Sequence, residues 1–200
     1  MINCLGYYEF GDINFGPNTN IGQSLYGMGA VSIGNVIANS ATSAGYTFGE
    51  NKLIVKQGTV NLPVATTITW AWSGCNNLRT IGLITCPLAT NYEYAFVYCY
   101  SLTSIQFSDC SACTTTTGFL TACYSLNSAI LPGLTRSVNF SNNSMGNYGM
   151  NLFANSIGTA SGMQTITITG TPFGALVTAS DATALAIRAV MMGKGYTIAN

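Results

Sequence analysis

The chain has no histidine and very little charge: six Lys/Arg and six Asp/Glu make up 6% of its 200 residues, against roughly a quarter in ordinary soluble domains. The missing histidine removes the commonest general base and the commonest metal ligand. The carboxylates, Glu9, Asp12, Glu50, Glu93, Asp109 and Asp181, are scattered, and only Glu9 and Asp12 lie close in sequence. A glycosidase-type site needs two acidic groups facing one groove, which Glu93 and Asp109 alone would have to build across adjacent units. Neither a phosphate-cradling glycine loop nor a dinucleotide fingerprint is present. The reading is a protein that is not an enzyme and carries no metal and no cofactor. Without clustered Lys and Arg there is no electrostatic footprint for nucleic acid. No run of 18 apolar residues exists, so no membrane insertion is expected. The opening MINCLGYYEFGDINFGPN lacks a basic stretch followed by an apolar one, so no secretory signal is expected either.

What the chain does have is apolar residues, 48% of the total, and a repeat. Cys75, Cys99 and Cys123 recur every 24 residues, inside AWSGCNNLRTIGLIT, AFVYCYSLTSIQFSD and FLTACYSLNSAILPG. The match extends upstream to give units 62–85, 86–109 and 110–133. A period of this length belongs to a solenoid of leucine-rich-repeat type, in which each coil buries its apolar side only when a neighbour stacks on it. The strand after the cysteine places Leu78, Ile81 and Leu83 in stack with Leu102, Ile105 and Phe107, then with Leu126, Ala129 and Leu131, as the core ladder. A second strand is expected before the cysteine, where Thr66, Ile68, Trp70 and Trp72 alternate. Cys75, Cys99 and Cys123 share one column, and Cys86 and Cys110 another that continues at Leu134. Both columns read as buried, reduced thiols. Cys110 and Cys113 form a C-x-x-C with no second pair to complete a zinc site.

Residues 1–61 read as a β-rich N-terminal cap or attachment region outside the repeat, with short strands at 30–33, 45–48 and 53–56. Residues 134–200 read as a degenerate repeat and C-terminal cap. In it, 162–169 forms a strand, Asn147 caps a short helix, a longer helix starts at Ser180 or Asp181 and stops at Gly193, and a final strand begins at Gly195. The fold class is therefore mainly β: a short solenoid of about 24 residues per coil, capped at both ends, the C-terminal cap containing a helix.

The units AFVYCYSLTSIQF and FLTACYSLNSAIL resemble the BspA-like leucine-rich repeats, in which an aromatic and a cysteine precede serine-leucine-threonine-serine-isoleucine. The segment TITITGTPFGALVTASDATALAIRAVMMGKGYTI is similar to those that close such arrays in phage structural and tail-fibre proteins. The resemblance implies adhesion or scaffolding: a non-catalytic structural protein of a virus particle, a phage fibre or head-decoration component. Its partners would be other virion proteins and copies of itself, and its place virion or extracellular. The alternative is a bacterial surface adhesin that binds a host-surface glycan or receptor. For that role Tyr98, Tyr100 and Tyr124, flanking the cysteine ladder, are the candidate contacts, since tyrosine offers a sugar-stacking face. The threonine column Thr66, Thr90, Thr114 raises a further possibility, a regular hydroxyl array for ice.

Overall fold

The structure, a computed structural model, describes residues 8–200. It is a parallel β-solenoid of about seven turns, roughly 24 residues each. Two strand columns run along it. One contains β1 (Tyr8–Phe10), β3 (Ala30–Ile33), β5 (Lys56–Gln57) and β7 (Thr80–Ile81), followed by β9 (Ser104–Gln106) and β10 (Ser128–Ile130). The other contains β2 (Ile13–Asn14), β4 (Val36–Ile37), β6 (Val60–Asn61) and β8 (Ile84–Thr85). Register is tight, Lys56 pairing with Thr80 and Ser104 with Ser128, a step of 24 residues each time. The cysteine-spaced coils are thus parallel and in register, with the core running along the axis.

Between strands the chain advances by tight turns. In the 62–85 coil the fully buried residues are Leu62, Ala65, Ile68, Ala71, Trp72, Cys75, Leu78 and Ile84, with Ile81 almost so, and inward positions recur about every third residue. Successive backbone bonds, Ala65 to Leu62, Ala71 to Ile68 and Leu78 to Cys75, close three-residue steps at 3.0–3.2 Å. The second strand expected over 66–72 is therefore absent. Only Thr67 makes an isolated bridge there, and the apparent alternation comes from turns whose inward step is three.

Leu83 is a second correction. It is 39% exposed, whereas Leu78, Ile81, Leu102, Ile105, Phe107, Leu126, Ala129 and Leu131 are buried as expected. The cause is Gly82, which adds a residue between the two strand columns so that Ile84 takes the inward place. One coil later this residue is gone, and Ile84 pairs with Phe107 at a step of 23.

That glycine shows that residues 8–61 are not outside the repeat. Gly11, Gly34, Gly58 and Gly82 stand in one column, each between the two strands of its coil. A Cβ on Gly82 would come within 2.8 Å of the Gly58 carbonyl carbon, and one on Gly58 within 2.7 Å of that of Gly34. Ile13 pairs with Val36 and Val36 with Val60, so 15–37 and 38–61 are further coils of the same solenoid. Of the short strands expected here, 30–33 is β3, 45–48 is a run of turns, and 53–56 is strand only at Lys56. Residues 1–7, with Cys4, lie outside the described residues.

At the C-terminal end helices replace strands. The helix α1 (Asn147–Ser156) lies against β10. Gly149 sits so close to the Asn127 carbonyl that no side chain fits between them. Gly146, with no side-chain cap, precedes α1, so Asn147 is its first residue and not its cap. A third sheet, β11 (Val138–Asn139), β12 (Gln164–Thr167) and β13 (Tyr196–Ala199), continues the stack on the other side. Between β12 and β13 lie α2 (Pro172–Thr178), capped by Thr171, and α3 (Ala182–Gly193), capped by Asp181 as the sequence indicates. Lys194 fastens α3 to α1: its Nζ donates to the carbonyls of Ala154, Asn155 and Ile157 at 2.7, 3.4 and 2.6 Å, where α1 leaves acceptors unpaired.

Candidate functional site

The tyrosines singled out in the sequence do form a surface cluster. Tyr98, Tyr100 and Tyr124 are 49%, 38% and 52% exposed. Tyr100 and Tyr124 come from equivalent places in consecutive coils, and their rings stack with centroids 5.6 Å apart and planes within 5°. Tyr98 is tilted against Tyr100 at 6.0 Å. Its backbone is left-handed, φ 63°, in a column shared with Gly27, Glu50, Gly74 and Ala122. The cluster stops toward the N-terminus because Asn76 and Gly74 occupy the matching positions.

A second set of rings, Tyr46 exposed and Trp70 and Tyr94 half-buried, lies on the preceding turns. Tyr46, Trp70 and Tyr94 all have φ between 53° and 59°, at a column that begins with Gln23 and ends with Gly118. Large side chains rarely adopt this conformation, and it costs of order 1–3 kcal/mol each unless the surroundings hold it. Here the rings hold one another, with centroids 5.8 Å apart for Tyr46–Trp70 and 4.4 Å for Trp70–Tyr94. The Tyr94 ring fills the space over Gly118, where any Cβ would collide with it. The ring faces are thus occupied by neighbours, and this column serves packing more than ligand contact.

The threonine column is longer than three. Thr42, Thr66, Thr90 and Thr114 each donate a hydroxyl to the carbonyl of the threonine one coil back, at 3.0, 3.1, 3.3 and 3.0 Å, starting from Thr19. Those donors stitch coils together and are not free to order water.

Inside the wall the cysteines behave alike. Cys75, Cys99 and Cys123 donate S–H to the carbonyls of Phe48, Trp72 and Phe96, each at 3.1 Å. One coil earlier Asn51 fills the same column and donates its amide to Leu25 at 2.6 Å. All six described cysteines are free and buried. Burial pushes the thiols of Cys75, Cys86 and Cys123 up to about 12 and that of Cys113 up to about 11, and raises Cys99 and Cys110 as well. Such thiols are poor nucleophiles and poor metal ligands, because both roles need the thiolate.

Among the described residues no three His, Cys, Asp or Glu side chains gather around a point where a metal could sit. Asp109 is occupied locally, accepting the Ser111 N–H at 2.8 Å, and Lys52–Glu50 is the one ion pair among the described residues. The signal that sequence reading passed over was the glycine column, which places Leu83 on the surface. No family model, no curated protein and no solved structure matches this chain.

Proposed function

We propose that this chain is a non-catalytic structural component of a virus particle, a phage fibre or head-decoration protein, joined to its neighbours through its N-terminal coils. The observation that carries the reading is the difference between the two ends. At the C-terminal end α1 covers β10, and α3 packs on α1, so the first strand column is closed and the outer strand left there is β13, against which α3 also packs. At the N-terminal end β1 and β2 are the last strands of their sheets among the described residues. Ile13 and Phe15 donate their N–H groups to Asn35 and Ile37 of the next coil, which turns the N–H of Asn14 outward. An outer strand edge of this kind pairs with another chain's edge. The low charge, which leaves little repulsion between neighbours, and the resemblance to the repeats of phage structural proteins support the same reading.

Set against Asn14→Ala, which loses only the side-chain acceptor of the Gly16 N–H, the test is an Asn14→Pro variant, which removes the outward donor as well. It should fold with an unchanged circular-dichroism spectrum yet drop out of purified particles in which the parent protein is recovered. Incorporation at parental stoichiometry would refute the attachment surface, and polysaccharide cleavage at an enzyme-like rate would refute the non-catalytic reading. A second reading, adhesion to a glycan or receptor, is favoured by the exposed Tyr98, Tyr100 and Tyr124 cluster. It requires that Tyr124→Ala lowers glycan-array or host-cell binding by the free protein.

A further inference from the structure

We infer that the hollow at the step between the strand column and α1 binds a neutral saccharide unit of pyranose size. This goes beyond the assembly reading and uses neither the N-terminal edge nor the tyrosine cluster. The step exists because a helix is about 10 Å across while neighbouring strands lie about 4.8 Å apart. Stacked on β10, α1 therefore stands above the sheet. Tyr148 and Leu152, one helical turn apart, form its wall over a hollow of about 350 Å³. That volume lies at the small end of ligand sites.

The floor is polar. Three of the four outward residues of β9 and β10, Ser104, Gln106 and Ser128, are polar and the fourth is Ile130, all alternating with buried Ile105 and Ala129. Neither hydroxyl nor the Gln106 amide is engaged in a hydrogen bond within the protein. The walls are apolar. Leu83, turned outward by Gly82, faces the hollow from one coil back, and Tyr148 is 78% exposed with no ring partner and no hydrogen bond.

The chemistry of the lining selects the ligand class. No charged residue borders the hollow, so an ionic ligand would lose hydration and find no counter-charge. A purely apolar ligand would leave two hydroxyls and an amide dry, at the cost of their lost hydration. A pyranose matches both requirements, with C–H groups for the faces of Tyr148 and Leu83 and hydroxyls for Ser104, Ser128 and Gln106. The product is a bound sugar and no covalent step, since no carboxylate, amine, thiol or imidazole lines the hollow to activate the Ser104 and Ser128 hydroxyls.

The experiment is a titration of the isotope-labelled full chain with N-acetylglucosamine and the methyl glycosides of glucose, galactose and mannose, followed by NMR. At least one sugar should shift the Gln106 side-chain amide, the Ser104 and Ser128 amides and the Tyr148 ring. Tyr148→Ala should weaken that binding about fivefold to tenfold, and Ser128→Val should do the same by removing a floor hydroxyl. Tyr124→Ala should leave it unchanged. The inference is overturned by an absence of shifts with sugar on the order of tens of millimolar, by unaltered affinity in both floor and wall variants, or by preference for an acidic sugar such as N-acetylneuraminate. Shifts centred on Tyr98, Tyr100 and Tyr124 would support the adhesion reading and remove this site.

Discussion

At Cys75, Cys99 and Cys123 the wall needs a side chain small enough to be covered by the next coil and still able to donate to a carbonyl of the previous one. Asn51 meets the same need with an amide, which identifies the donor as the constant of that column. The sequence made thiol burial legible, because the Cys86 and Cys110 column continues at Leu134 and Cys75, Cys99 and Cys123 recur in a second column of the same period. Their donor role was hidden, since it depends on which carbonyl lies opposite. The left-handed aromatics were equally hidden: nothing local predicts Tyr46, Trp70 and Tyr94 at a position that favours glycine, and what holds them there lies between coils, ring stacking together with their backbone N–H bonds to Thr69, Glu93 and Thr117. The thiols carry a pH prediction. An unfolded thiol titrates near 9 and the folded Cys75 and Cys123 only near 12, so the fold favours the protonated form. The stabilisation is complete below the unfolded value and is lost as pH rises toward the folded one. The urea midpoint should hold steady through neutral pH, then fall from about pH 9 upward, while the native protein shows no thiolate absorbance until it unfolds. Native thiolate at pH 9, or a midpoint that stays flat through about pH 11, would contradict this.

The elements differ in how much of them could be read. Helix α3 announced itself by Asp181 and its stop at Gly193, and α2 carried an equally plain signal in Thr171 followed by Pro172, a capping residue before a proline at the first helical position. The turns of the coil wall were misread as strand because Ile68 and Trp72 fit an alternating pattern, although Thr66 is exposed, Trp70 half-buried and Ala71 buried. The glycine step between the strand columns is the element that sets which residues face in, and it yields a paired prediction. Gly82→Ala places a methyl against the Gly58 backbone, which stacking fixes on both sides, and should cost about 1–3 kcal/mol as overpacking. Gly11→Ala, at the first glycine of the same column, meets nothing within 4 Å and should change little. Urea unfolding of the two variants checks the difference, and equal shifts would mean that the column is not close-packed.

At the scale of the whole molecule the period was legible because every coil offers the same interior, so inward residues repeat while outward ones are free to differ. That freedom is why the saccharide hollow, built from outward positions and a helix, left no periodic trace. It also explains why residues 8–61 escaped recognition: they keep the glycine column and the inward spacing but lose the cysteines. The consequence bears on how the protein can be cut. If 1–61 were a separate cap, a 62–200 fragment would fold with little loss. In the structure these coils supply one face of the core of the next. Trp72 stacks on Phe48 at 5.1 Å and donates its indole N–H to Gln57 at 2.7 Å, and Cys75 donates to Phe48. Removing 1–61 strips all three contacts at once and bares Ile68 and Leu78 along the new end, where stability depends on the missing neighbour. The fragment should lose at least about 3–5 kcal/mol, the scale of one large buried aromatic contact, and its tryptophan emission should shift to the red as Trp72 meets water. A fragment with the parental urea midpoint and buried-tryptophan emission would show instead that the solenoid begins at residue 62 and that the coils before it merely lie against its end.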